Sequence, residues 1–320
     1  MVRAALGALP MTDFILHHFA SSPFSEKIRW IFGFKHLAWR SVDVPMILPK
    51  PDVVALTGGY RRTPFLQIGA DIYCDTALMA RVIDQLAPEP ALYPAALAGT
   101  PHIVAQWADS ALFWAAIPFT SQPTTIGYLI GDHAPTPEFF KALMEDRAAM
   151  IGSGRVRATH GDAAAQLTSY LSWLEATLAG PFVLGEQPCI ADFAAAQSIW
   201  FMRLAPPVAA TLAGYPRVTA WFERVAAFGH GTPTPLSSAD AIAIAAGAAG
   251  HAATTVQAGL GFEAGAPVTV AATDYASDAT AGSLVGLSHD EVVVERKDGR
   301  AGVVHVHFPR IGYQVKKAKS

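Results

Sequence analysis

The residues best placed to do chemistry are Ser22, Pro23 and Phe24, which open the stretch Ser22-Pro23-Phe24-Ser25-Glu26-Lys27-Ile28-Arg29. Upstream, Phe14-Ile15-Leu16 is short and apolar and predicts a buried strand, while Phe24, Ile28, Ile31 and Phe32 recur at helical spacing. Ser21 or Ser22 can cap that helix through its hydroxyl, and Pro23 suits the first helical position, where a missing N–H is no loss. A hydroxyl therefore stands at a positive helix end, where unpaired N–H groups favour an anion such as a thiolate. Lowering a thiol pKa from about 8.5 to about 6.5 requires about 2.7 kcal/mol of preference for the thiolate. One hydroxyl hydrogen bond to charged sulfur (about 1.5 to 3 kcal/mol) plus a dipole contribution of about 0.3 to 1 kcal/mol is enough. A plain N-cap is the other role open to Ser22.

The elements that must hold this serine follow from the periodicity. Between Asp13 and Pro88 the pattern is strand, helix, strand, then a loop rich in Pro and Gly from Met46 to Tyr60, then two short strands and a helix. Thr63–Ile68 and Asp71–Cys74 are the paired strands, joined by a tight Gly69-Ala70 turn, and Leu78, Met79, Val82, Ile83 and Leu86 line one face of the helix that follows. After Pro88-Glu89-Pro90 the chain turns Ala-rich, with helices predicted over 101–116, 137–150, 162–178, 190–204 and 216–228. Asp192, three residues after Cys189, is placed to close a capping box. Beyond Thr232-Pro233-Thr234-Pro235 a small-residue helix over 238–250 leads into five short β-branched runs between Val268 and Val315. Lys297-Asp298-Gly299-Arg300 marks a hairpin. So small a β-module is marginal alone and is expected to dock onto the helical region.

At 320 residues the chain has room for two or three domains, and 52% hydrophobic residues supply ample core. No run of eighteen apolar residues lacks a polar break, which argues against a membrane span. A net charge of −3 gives no reason to invoke nucleic acid or an anionic membrane, and the Lys316-Lys317-Ala318-Lys319 tail is too short to change that. Two cysteines, Cys74 and Cys189, fit neither a disulfide scaffold nor a Cys-rich metal site, so a reducing cytoplasm is the expected compartment. The first ten residues are too short for a secretory signal, which leaves Met1 and Met11 as alternative starts.

Taken in order, Ser22-Pro23-Phe24, Arg61-Arg62-Thr63-Pro64-Phe65-Leu66 and Tyr73-Cys74-Asp75-Thr76-Ala77 resemble the cytosolic glutathione transferases over roughly residues 12 to 230. The first motif is similar to the serine-type start of the tau class, and to the omega class with Ser in place of Cys. The resemblance implies an α+β multidomain chain. The five β-branched runs beyond its reach read as a small β-barrel-like module or curled sheet over residues 265–320. The resemblance places a thioredoxin-like glutathione-binding domain at residues 12–90 and an all-helical domain at residues 98–230. It further implies that Ser22 is the catalytic hydroxyl and that Phe24, Arg62, Thr63, Pro64, Asp75 and Thr76 bind glutathione. A cis Thr63–Pro64 bond would present the Thr63 backbone to the cysteinyl backbone. Arg62 would face the glycyl carboxylate, and Asp75 and Thr76 the γ-glutamyl end. Asp75 stands where Glu is common and is one methylene shorter. Gln106-Trp107-Ala108-Asp109 and the Pro188 to Phe193 segment are also similar to family patterns, and Trp107, Phe113 and Trp114 would border the electrophile pocket. The implied activity is attack of a glutathione thiolate on a small electrophile by a homodimeric enzyme. Glutathione-dependent isomerisation or dehalogenation and a non-catalytic scaffold role are the alternatives.

Other chemistries find little support. There is no phosphate-binding Gly loop, metalloprotease motif or Gly-x-Ser-x-Gly. Thiol–disulfide exchange is excluded at Ser22, because a hydroxyl cannot form the mixed disulfide. The eleven histidines show no ligand spacing supported by a nearby third acid or Cys, so no metal is expected. His305 and His307 share a strand face and read as an exposed or stacked pair.

Overall fold

The computed structural model describes residues 13–130, 136–152 and 158–318. Both candidate starts, Met1 and Met11, and Lys319 of the basic tail lie outside them.

The first unit follows the expected order: β1 (Ile15–His18), α1 (Pro23–Phe34), β2 (Ala38–Asp43), α2 (Pro51–Thr57), β3 (Phe65–Ile68), β4 (Asp71–Cys74) and α3 (Thr76–Leu86). The loop predicted over 46–60 contains the short α2, which has Pro51 in its first turn and ends at Gly58, a glycine with φ of +80°. β1 runs parallel to β2 and antiparallel to β3, which pairs antiparallel with β4. That is the thioredoxin arrangement.

The helical unit comprises α4 (Thr100–Trp107), a π-helical turn (Ala108–Leu112) and α5 (Phe113–Thr120), then α6 (Ile126–Ile130), α7 (Pro137–Ile151), α8 (His160–Thr177), α9 (Ile190–Arg203), α10 (Pro206–Ala209) and α11 (Pro216–Ala226). The helix expected over 101–116 is thus one long helical run interrupted by the π turn that carries Asp109. α9 is the buried axis of this unit. Asp192 holds its start, accepting the Cys189 and Val183 N–H groups and the Trp221 indole N–H.

β5 (Thr232–Pro235) and α12 (Ser238–Ala246) precede the last five strands, β6 (Pro267–Ala272), β7 (Thr280–Leu287), β8 (Glu291–Asp298), β9 (Gly302–Pro309) and β10 (Tyr313–Lys317). These do not dock onto the helical unit as expected. They extend the thioredoxin sheet into one ten-stranded sheet in the order β10-β6-β7-β8-β9-β4-β3-β1-β2-β5. β9 lies parallel to β4, and β5 lies parallel to β2. The physical reason is edge chemistry: β4 and β2 would otherwise present unpaired backbone donors and acceptors. Among the described residues β9 and β10 do not pair, so the module is an open antiparallel sheet and not a closed barrel.

Period-two alternation splits the core into two faces. Leu16, Leu66 and Tyr73 face α1, α3 and the helical unit. Ile15, Phe65, Ile72 and Cys74 face the other way, into a second core with α2, α12 and the apolar residues of β6–β10.

Candidate active site

α1, the β3 entry and the α3 entry converge on one cavity of about 240 Å³. Phe24, Arg62, Thr63, Pro64, Asp75 and Thr76 all line it, so the structure brings together residues from three separate motifs. The Thr63–Pro64 peptide is cis. Asp75 caps α3, its carboxylate accepting the Ala77 N–H at 2.9 Å, and it holds a positive φ of 75°. A non-glycine residue pays for that backbone region, so Asp75 is kept there by its neighbours. One of them is Tyr313, whose hydroxyl donates to Asp75 Oδ2 at 3.2 Å.

Ser22 sits just behind this cavity wall. It is 3% exposed and acts as the N-cap of α1, its Oγ accepting the Ser25 N–H at 3.2 Å. Its own proton points to the Thr63 carbonyl at 3.4 Å, well beyond the usual O–H···O separation of about 2.7 to 2.8 Å. The proton is therefore weakly held.

The third module covers the cavity mouth. The loop between β6 and β7 brings Asp274 and Tyr275 onto Arg62, whose Nη2 donates to the Asp274 carboxylate and to the Tyr275 carbonyl. The Tyr275 ring lies under the guanidinium at 3.8 Å from its centroid, and against Trp114 of α5 edge-on at 5.1 Å. The same loop is clamped by Arg61, whose Nε donates to Asp278 and whose Nη1 donates to Asp146 of α7, both at 2.9 Å. A side chain at Gly59 would stand 2.4 Å from the Ala279 carbonyl, so the backbones meet there without room for a Cβ. Burial alone would lower the Arg62 pKa, but Tyr275, Tyr313, Tyr60 and Asp274 outweigh it and push it up; the group is a fixed cation.

Residues 16–91 match the family description "Glutathione S-transferase, N-terminal domain", and residues 138–224 match "Glutathione S-transferase, C-terminal domain". A GST-like protein from Pseudomonas syringae is 41% identical, with a TM-score of 0.79 over 96% of this chain and all of that one. The chain belongs to the glutathione S-transferase family. Glutathione transferases from Phanerochaete chrysosporium and Populus trichocarpa share the fold at 17% and 16% identity. The first has a TM-score of 0.54 over 68% of this chain and 98% of its own, the second 0.50 over 67% and 93%. No curated protein shows significant similarity. The likeness to the P. syringae protein thus extends over the third of this chain that the fungal and plant enzymes leave uncovered. No helix among the described residues is long and apolar enough to cross a membrane.

The structure places the three predicted pocket aromatics outside the cavity wall. Phe113 packs on Phe24 at 4.6 Å, Trp114 packs on Phe113 and Tyr275, and Trp107 packs on Tyr170. They support the wall from behind. Sequence reasoning missed Lys27, which lines the cavity although it is fully buried on α1. Its Nζ donates to Thr76 Oγ1 at 3.2 Å and to Asp109 Oδ2 at 2.5 Å, tying the α3 entry to the π turn. Burial raises the Asp109 pKa, and Lys27 and Gln197 oppose that rise. A lysine inside an apolar helical stripe was the available signal for this buried pair. For Asp274, Tyr275 and Tyr313 there was none, because their placement depends on how the third module joins the sheet.

Proposed function

We propose that this protein is a glutathione-dependent transferase that joins the glutathione thiolate to a small electrophile. The observation that carries this reading is the meeting of Phe24, the cis Thr63–Pro64 bond, Arg62 and the Asp75-Thr76 helix entry around one cavity. In this reading Asp75 and Thr76 hold the γ-glutamyl end, Thr63 pairs with the cysteinyl backbone and Arg62 takes the glycyl carboxylate. Ser22 then turns its weakly held proton from the Thr63 carbonyl to the sulfur, and the α1 N-terminus adds positive potential. The thiolate attacks the electrophilic carbon directly, forming the thioether as the leaving group departs; no enzyme-bound covalent intermediate is required.

One observation favours a non-catalytic binding role instead: Arg62 already holds a carboxylate of its own chain, Asp274. Retention on immobilised glutathione, together with turnover on a panel of model electrophiles, separates the two. No retention and no turnover would favour the scaffold role. Within the transferase reading, Ser22→Ala should raise the pH midpoint of conjugation with glutathione affinity nearly intact. An unchanged profile and rate would remove Ser22 from the mechanism.

A further inference from the structure

Away from this cavity, three residues from distant parts of the chain meet at the seam between β4 and β9. Asp71 opens β4, His305 lies opposite it in the parallel register, and His251 belongs to the segment joining α12 to β6. Asp71 Oδ1 is 3.8 Å from His251 Nδ1 and 3.9 Å from His305 Nδ1. All three ligand atoms lie within 4.8 Å of one another. Both Nδ1 atoms are buried without a hydrogen-bond partner, and His305 is only 8% exposed. Burying one such atom unpaired is costly; two beside a single carboxylate oxygen require a common partner.

The surrounding bonds set the protonation state. His305 Nε2 stands 3.3 Å from Glu295 Oε2, and a carboxylate only accepts, so Nε2 carries the proton and Nδ1 keeps its lone pair. His307 bridges Glu291 Oε1 at 2.6 Å and Asp71 Oδ1 at 2.9 Å, so both its nitrogens donate. Asp71 is thereby fixed, with Oδ2 taken by the Ala252 N–H at 2.8 Å and Oδ1 turned towards the two free nitrogens. Ligand imidazoles and carboxylates oriented by an outer layer of hydrogen bonds are how proteins prepare metal centres.

We propose that Asp71, His251 and His305 form a binding site for a divalent first-row transition ion, with Zn(II) as the best fit. Two imidazoles and one carboxylate suit Zn(II) far better than Ca(II) or Mg(II), which take oxygen ligands, or Cu(I), which takes sulfur. Ligands about 2.0 to 2.1 Å from a tetrahedral ion stand roughly 3.3 Å apart, so the two Asp71–His spacings have to close by about half an ångström. The rings of His251 and His305 are stacked at 3.7 Å, so one must turn to bring both lone pairs onto one ion. His251 is the one free to do so, since its side chain is 22% exposed and sits outside any strand or helix. The fourth position is left to water. Bound there, the ion fastens the segment before β6 and the third module to β4, the strand that ends beside Asp75.

The test uses the full-length chain stripped with a chelator, dialysed and titrated with Zn(II) by calorimetry. One saturable ion per chain is expected, with a melting temperature that rises on addition and falls back with EDTA. Co(II) in its place should give the strong visible absorption of a four-coordinate ion. His251→Ala removes a partly exposed side chain outside any regular element and should abolish the saturable site in a folded protein. Glu295→Gln, acting through His305, should weaken it roughly 10- to 100-fold. Absence of stoichiometric binding, or no response of the melting temperature to Zn(II) and EDTA, would assign the pocket to a buried water. Equal binding by wild type and His251→Ala would mean an adventitious ion only. Either result overturns the proposal.

Discussion

The Arg62 guanidinium lies 3.8 Å from the centroid of the Tyr275 ring, joining residues 213 positions apart. Through this contact the third module becomes part of the cavity that the thioredoxin-like and helical units form between them. The basic residue resembling a glutathione carboxylate anchor carries an internal carboxylate, that of Asp274, as its present partner.

Replacing Asp274 therefore bears directly on ligand affinity. Its side chain is 41% exposed, so the ion pair is discounted for screening to about 1 kcal/mol. Asp274→Asn should tighten glutathione binding roughly fivefold by calorimetry, because Arg62 no longer has to exchange one carboxylate for another. An unchanged or weaker affinity would mean that Arg62 is not the anchor.

Lys27 and Asp109 form the most deeply buried ion pair in the cavity wall, at 2.5 Å. Lys27→Met leaves Asp109 without its cation and should cost about 3 to 5 kcal/mol in urea unfolding. Adding Asp109→Leu should restore at least half of the loss, since replacing both partners removes the uncompensated charge. Failure of the double variant to recover would show that the lysine acts through something other than this pair.

Ser22 caps α1 whatever its part in chemistry. Ser22→Ala should lower stability by about 1 kcal/mol by leaving the Ser25 N–H unpaired. Its activity must therefore be compared at equal folded fraction. A variant as stable as wild type would contradict the cap seen here.

Acid should destabilise the sheet through two β1 histidines. Burial lowers the His17 pKa to about 4, opposed by its hydrogen bond to Gln67. Burial, then Arg29, His17 and His230, lower that of His18 to about 3. Arg29 Nη1 donates to His18 Nδ1, which fixes the neutral ring with its Nε2–H on Ser41. Both folded values lie below the ordinary 6.5, so the unfolded chain binds more protons. The stability these rings contribute is complete above about pH 6.5 and is lost as pH falls through their folded values near 4 and 3. His18→Asn should flatten part of that loss in denaturant melts run between pH 7 and pH 4. An identical pH slope in wild type and variant would refute it.

Much of the site was legible locally. A serine followed by proline before a helical stripe specified the start of α1, and Arg62-Thr63-Pro64 and Asp75-Thr76 specified the entries to β3 and α3. Propensity, capping and turn chemistry act within a few residues, so they can be read without knowing what packs where. Less legible was the role of aromatic residues in α4 and α5. Helical spacing puts Trp107, Phe113 and Trp114 in the interior but cannot tell a cavity lining from its backing.

By itself, then, the sequence determined the order and type of most elements, α2 and β5 excepted, and the three motifs around the cavity. Only the tertiary structure decided that β9 covers the β4 edge, that Tyr275 and Asp274 close on Arg62, and that Asp71 meets His251 and His305. The reason is that a strand's pattern states which face is buried, whereas its pairing partner is chosen by which backbone edges remain unsatisfied once the whole sheet is assembled.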